Sequence, residues 1–92
     1  MSKILIISAT RGTNLRLAQK ISNLLIIDNE VLTLEDYPMP MYVPNSNNVI
    51  ERKIISDLCG KFIECRGLIF CAPEYNGGSP PILTNAITWM SL

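Results

Sequence analysis

The sequence predicts an α/β protein built on a parallel, doubly wound sheet, and three observations carry that prediction. Two apolar runs, Ile4 to Ile7 and Gly67 to Ala72, lack the polar alternation of a half-solvated strand, as strands covered on both faces do. Elsewhere apolar residues recur at helical spacing. The segments follow in the order βαβαβα, which means a parallel, doubly wound sheet with right-handed crossovers, expected in strand order 2-1-3, and no internal repeat or low-complexity tract competes.

Taken in order, Ile4 to Ile7 forms β1. After the polar turn Ser8 to Thr13, Leu17, Ala18, Ile21, Leu24 and Leu25 mark the apolar face of α1, with Arg16, Gln19, Lys20 and Asn23 opposite. Asp28-Asn29 is turn chemistry, and Glu30 to Leu34 alternates enough to suit a strand near a sheet edge, β2. Tyr37 to Pro44 holds three prolines in eight residues, which blocks helix and ladder hydrogen bonding and leaves an extended loop presenting apolar side chains. Asn48 followed by Glu51 reads as an N-cap with its reciprocal acid, opening α2, in which Ile50, Ile54, Leu58 and Phe62 recur every four residues before an end near Glu64. Gly67 to Ala72 is β3, expected to be buried on both faces. Ser79 caps α3 with Pro80 at its first position, and Ile82, Leu83, Ala86, Ile87 and Met90 form its stripe.

Composition narrows function before any motif is read. Ninety-two residues allow one domain, 1–92, and exclude a two-domain enzyme. A hydrophobic fraction of 48% against 17% charged residues is that of a chain that packs a core. Eight basic and eight acidic residues leave a net charge of zero, so nothing draws this surface to nucleic acid or anionic lipid. Histidine is absent and Cys59, Cys65 and Cys71 lie six residues apart, which assembles no zinc site and no imidazole base, so any chemistry needs a borrowed cofactor. The apolar N-terminal run is too short for a signal-peptide core or a membrane span, and a cytoplasmic address with reduced thiols is expected.

Ligands of such sheets sit beyond the carboxyl ends of the strands, which directs attention to the loops after β1 and β3. The first, Ser8-Ala9-Thr10-Arg11-Gly12-Thr13-Asn14, gathers three hydroxyls and a guanidinium at a helix N-terminus, where free N–H groups and the dipole favour an anion. A terminal phosphomonoester suits it. The single Gly12 falls short of a dinucleotide fingerprint, and no Walker A loop is present. The same residue types also build an ordinary turn and cap, so this loop alone leaves both readings open. The second, Pro73 to Pro80, combines a stiff entry, Glu74, Tyr75 and Asn76, and the pair Gly77-Gly78, which lets backbone amides approach a ligand; a flat heteroaromatic ring fits it, though such loops are commonly plain turns.

At these residues the chain resembles a known family. Ser8-Ala9-Thr10-Arg11 with Thr13-Asn14 and Leu17-Ala18, the stretch Leu34 to Tyr42, and Pro73-Glu74-Tyr75-Asn76 through Pro80 to Trp89 are similar to the flavodoxin-like NADPH-dependent FMN reductases, over essentially the whole chain. The resemblance implies that Thr10, Arg11, Thr13 and Asn14 bind the FMN phosphate with Ser8 supporting the turn. It also implies that Pro73, Glu74, Tyr75 and Asn76, with Gly77 beside them, contact the flavin largely through backbone. The activity it implies is hydride transfer from NADPH or NADH through FMN to a small acceptor such as a quinone, azo compound, chromate or flavin, in a homo-oligomer, dimer or tetramer, with no side chain acting as base. A flavodoxin-like electron carrier is disfavoured by the zero net charge and by Arg11; an inactive truncated fragment is the other alternative.

The chain departs from the family where Ala9-Thr10 replaces a common Gly-Ser, where Thr84 and Thr88 replace lysine and aspartate, and where Pro80-Pro81 replaces Pro-Gly. Family members continue with a fourth and fifth strand and two more helices. An unprotected apolar β3 edge and an α3 that is apolar to Leu92 agree, so the expectation is a fragment, a truncated reading frame, or a chain completed by another, with weakened flavin binding. Cys71 is expected to be a buried structural thiol, Glu35-Asp36 a solvated turn, and Tyr42 and Trp89 packing residues, with an interface as second choice.

Overall fold

The computed structural model describes residues 3–42, 49–73 and 80–90. Their elements are β1 (Ile4–Ser8), α1 (Thr13–Leu24), β2 (Asn29–Thr33), a short 3-10 helix (Leu34–Asp36), α2 (Val49–Glu64), β3 (Gly67–Cys71) and α3 (Pro81–Met90). The strands form one parallel sheet in the order β2-β1-β3, the expected βα alternation of a flavodoxin-like α/β fold.

Register places Ile4 opposite Asn29 and Gly67, and Ser8 opposite Thr33 and Cys71, so all three strands end level at their carboxyl edge. The pleat sends alternate residues of β1 to opposite faces. Leu5, Ile7 and Ala9 pack with Leu32, Leu34, Leu58, Leu83 and Ala86 beneath α2 and α3. Ile6 packs with Ala18 and Cys71 on the α1 face, joined by Ile4, Ile21, Leu25, Val31 and Ile69. Ile6, Ile7 and Leu58 are fully buried, and each such side chain contributes about 1.5–3 kcal/mol to folding. At the amino edge Glu30 accepts from Lys61 Nζ at 2.9 Å and pairs with Lys3 at 3.5 Å, tying α2 to the sheet. The Lys61 hydrogen bond holds the Glu30 carboxyl below its ordinary range and raises Lys61.

Several expectations need correcting. β3 is not buried on both faces: Leu68 and Phe70 are 41% and 37% exposed. It is the outer strand of the described sheet, and among the described residues Phe62, Ile87 and Met90 flank these two in an open apolar cleft. In α1 only Ala18 of the stripe is buried, whereas Leu17 and Leu24, a heptad apart and about 100° round the helix from Ala18, flank the contact line and are exposed. Leu34 leaves β2 and opens the 3-10 helix, because Thr33 Oγ1 accepts the Glu35 N–H and turns the chain. Helix α3 starts at Pro81 rather than Pro80, since the Pro80 carbonyl already accepts the first intrahelical bond, from Thr84 N–H at 3.2 Å. Asn48 and Ser79, the two expected caps, lie outside the described residues.

Candidate functional site

The loop after β1 is built by its own short-range bonds. Ser8 Oγ donates to the Thr10 carbonyl at 2.9 Å and closes the turn. Asn14 Nδ2 donates to Thr10 Oγ1 at 3.2 Å, fastening the loop to the first turn of α1. Gly12 is the N-cap with φ 85°, a left-handed conformation that favours glycine, and a Cβ there would meet nothing within 4 Å among the described residues. The demand is thus conformational, since no described residue crowds that position.

The first intrahelical bond of α1 runs from Arg16 N–H to the Gly12 carbonyl at 2.9 Å. The N–H groups of Thr13, Asn14 and Leu15 therefore have no acceptor within the helix, and Gly12 has no side chain to cap them. Arg16 donates to Thr13 Oγ1 at 3.2 Å, bringing a second guanidinium to this end. An uncapped helix N-terminus, two arginines and the hydroxyls of Thr10 and Thr13 form a donor set for a phosphate, and the residues present fit a phosphomonoester.

Two further side chains stand at this loop. Arg11 N–H donates to a Glu35 carboxylate oxygen, and the Arg11 guanidinium donates to Asp36. The expected solvated turn is therefore also a contact with the loop after β1, although both acids are exposed. The reason is topological: parallel strands deliver all their carboxyl ends to one side, so an acid after β2 lands beside the loop after β1. That signal was present in the sequence; the pairing with Arg11 was not.

Beyond the paired residues, Ala9 N–H donates to the Cys71 carbonyl at 2.9 Å, so the loops after β1 and β3 leave the sheet side by side. Pro73 is half-buried at the start of the second loop; Glu74, Tyr75, Asn76 and Gly77 lie outside the described residues. Of the ten expected site residues, Ser8, Thr10, Arg11, Thr13 and Asn14 gather around one loop, with Pro73 at the end of the neighbouring strand. Cys71 is buried, and desolvation pushes its thiol up, which keeps it protonated and packed.

The proline-rich loop is pinned to α3 by bonds that the sequence does not announce. Asn85 Nδ2 donates to the Pro40 carbonyl at 2.8 Å and Asn85 Oδ1 accepts the Tyr42 N–H at 2.7 Å. Trp89 Nε1 donates to the same Pro40 carbonyl at 2.8 Å, and its ring meets Tyr42 edge-on at 4.9 Å. Tyr42 and Trp89 thus pack on each other, as expected. No local pattern around Asn85 could have revealed its role, because its partners lie more than forty residues away.

Among the described residues, no helix is long and apolar enough to cross a membrane. No curated relative matches the chain. The family model for NADPH-dependent FMN reductase matches residues 2–92. That match spans both the donor-lined loop after β1 and the segment after β3, and by it the chain belongs to the NADPH-dependent FMN reductase family.

Proposed function

We propose that the chain binds FMN with its phosphate on the loop Ser8 to Asn14 and acts as an NAD(P)H-dependent reductase of a small acceptor, such as a quinone, azo compound, chromate or flavin. The observation that carries this reading is the uncapped N-terminus of α1 at Gly12, which no described residue crowds, in a chain whose family is defined by FMN use. Thr13, Asn14 and Leu15 N–H groups would meet phosphate oxygens, with Thr10 and Thr13 hydroxyls and the Arg11 fork beside them. Ser8 holds the turn through Thr10. Pro73, Glu74, Tyr75, Asn76 and Gly77 complete the proposed cofactor set, and the Ala9–Cys71 bond supports their placement by starting the two loops together.

Bound flavin would supply hydride acceptance from NADPH or NADH and donation to the second substrate. The protein's share is binding, orientation and exclusion of water, and no side chain is assigned as an acid or base. The apolar cleft of Phe62, Leu68, Phe70, Ile87 and Met90 along β3 supports a homo-oligomer as part of the same reading.

The test is to mix purified chain with FMN and NADPH, with and without a quinone. Visible absorption of bound flavin with sustained NADPH oxidation is the expected result. Bound flavin without turnover would make the chain a carrier, and no bound flavin would sink the reading.

A further inference from the structure

Loop 37–42 does not lie flat on α3. Asn85 and Trp89 hold the backbone at Pro40 and Tyr42, and on one side of this clamp a cleft of about 380 Å³ opens. Its walls are Met41, Tyr42, Pro81, Thr84, Asn85 and Thr88. None of these carries a charge, and the exposed surface is mostly apolar. A cleft of this volume accepts a small ligand. Its composition selects the ligand's chemistry. With no cation or carboxylate among the described wall residues, a charged ligand would lose hydration to them without compensation. Met41, 67% exposed, the Pro81 ring and the Tyr42 ring offer polarizable surface to an aromatic face.

The wall is also stiff. Both amide atoms of Asn85 are engaged by loop backbone, and Trp89 fixes the Tyr42 ring from behind. The cleft is therefore formed before anything enters it, which lowers the ordering cost of binding. A second, smaller cleft across Asn85 is lined by Glu35 and Met39, among others, and leads back toward the loop after β1 through the Glu35–Arg11 contact.

We infer that the cleft between loop 37–42 and α3 binds a neutral, planar aromatic molecule. That this molecule is the electron acceptor rests on the reductase reading above; that it binds does not.

Duroquinone is a suitable probe, because its fully substituted ring cannot alkylate the three cysteines, and Trp89, the single tryptophan, reports on the cleft wall. Flavin-free chain titrated with duroquinone should show saturable quenching of Trp89 at one molecule per chain. Thr84→Arg or Met41→Glu, each placing a charge in the wall, should weaken that saturation about tenfold with an unchanged far-ultraviolet circular dichroism spectrum. Strictly linear, collisional quenching of the wild type overturns the inference, as does equal saturation in both variants. Saturation found only at concentrations where the chain self-associates would assign the cleft to a second copy and overturn it too. FMN titrated separately keeps the two readings apart: retained duroquinone binding without FMN binding sinks the flavin assignment alone.

Discussion

Ala9 N–H donates to the Cys71 carbonyl at 2.9 Å, one residue beyond the last β1–β3 pair, and this bond brings two loops distant in sequence to one edge of the sheet. Ser8, opposite Cys71 and Thr33 in the register, is fully buried beneath that edge. The donor set above it follows from how three strands end together.

Arg11→Ala should weaken FMN binding by about tenfold or more, the loss of a hydrogen bond to a charged group being worth roughly 1.5–3 kcal/mol. Riboflavin, which lacks the phosphate, should lose less than about twofold. Fluorescence titration of both ligands makes the comparison, and equal losses would remove Arg11 from the phosphate site.

Asp36→Asn should strengthen FMN binding modestly. Asp36 now holds the Arg11 guanidinium, and an anion entering the loop must compete with that carboxylate. Both side chains are more than half exposed, so the gain should be about two- to fivefold, the scale of a surface pair. Weaker binding would instead show that Asp36 aims Arg11 at the phosphate.

Leu58→Ala should cost about 2–5 kcal/mol, since it empties a buried site against the sheet and a cavity remains. Leu58 is fully buried among Leu5, Ile7, Leu32 and Leu34. For a domain this small the midpoint of thermal unfolding should drop by roughly 10 °C or more. A shift of only a degree or two would mean that α2 does not pack on the sheet in solution.

Glu30→Gln should flatten the acid limb of the stability profile. The folded carboxyl lies below its ordinary value of 4.5, chiefly through the Lys61 hydrogen bond. Its contribution is therefore present above that value and is lost as pH falls through the lower folded one. The Lys61 shift is upward, so its contribution is complete at neutral pH and is lost only when alkali titrates the folded amine. The bridge is partly solvated, so the variant should be weaker at neutral pH by about 0.5 kcal/mol, with little difference from wild type well below pH 4.5. Denaturant titrations across pH measure this, and parallel acid limbs would contradict the assignment.

The strands, the helices and their order were legible in the sequence because each depends on local periodicity: an unbroken apolar run in β1, helical spacing in α1 and α3, and three prolines in the loop between β2 and α2. The loop after β1 was legible for the same reason, since Ser8, Thr10, Gly12 and Asn14 bond to near neighbours or set their own backbone. What tertiary structure decided was everything joining distant segments. Glu35 and Asp36 looked like solvent-facing acids until parallel packing set them against Arg11. Asn85 looked like one polar residue of a helix until it clasped Pro40 and Tyr42. Leu68 and Phe70 looked fully buried by their unbroken apolar run, although the expected strand order already made β3 an edge, and the packing leaves them 41% and 37% exposed. Periodicity records which face of an element is apolar, whereas the partner each face meets is set by how the chain closes on itself.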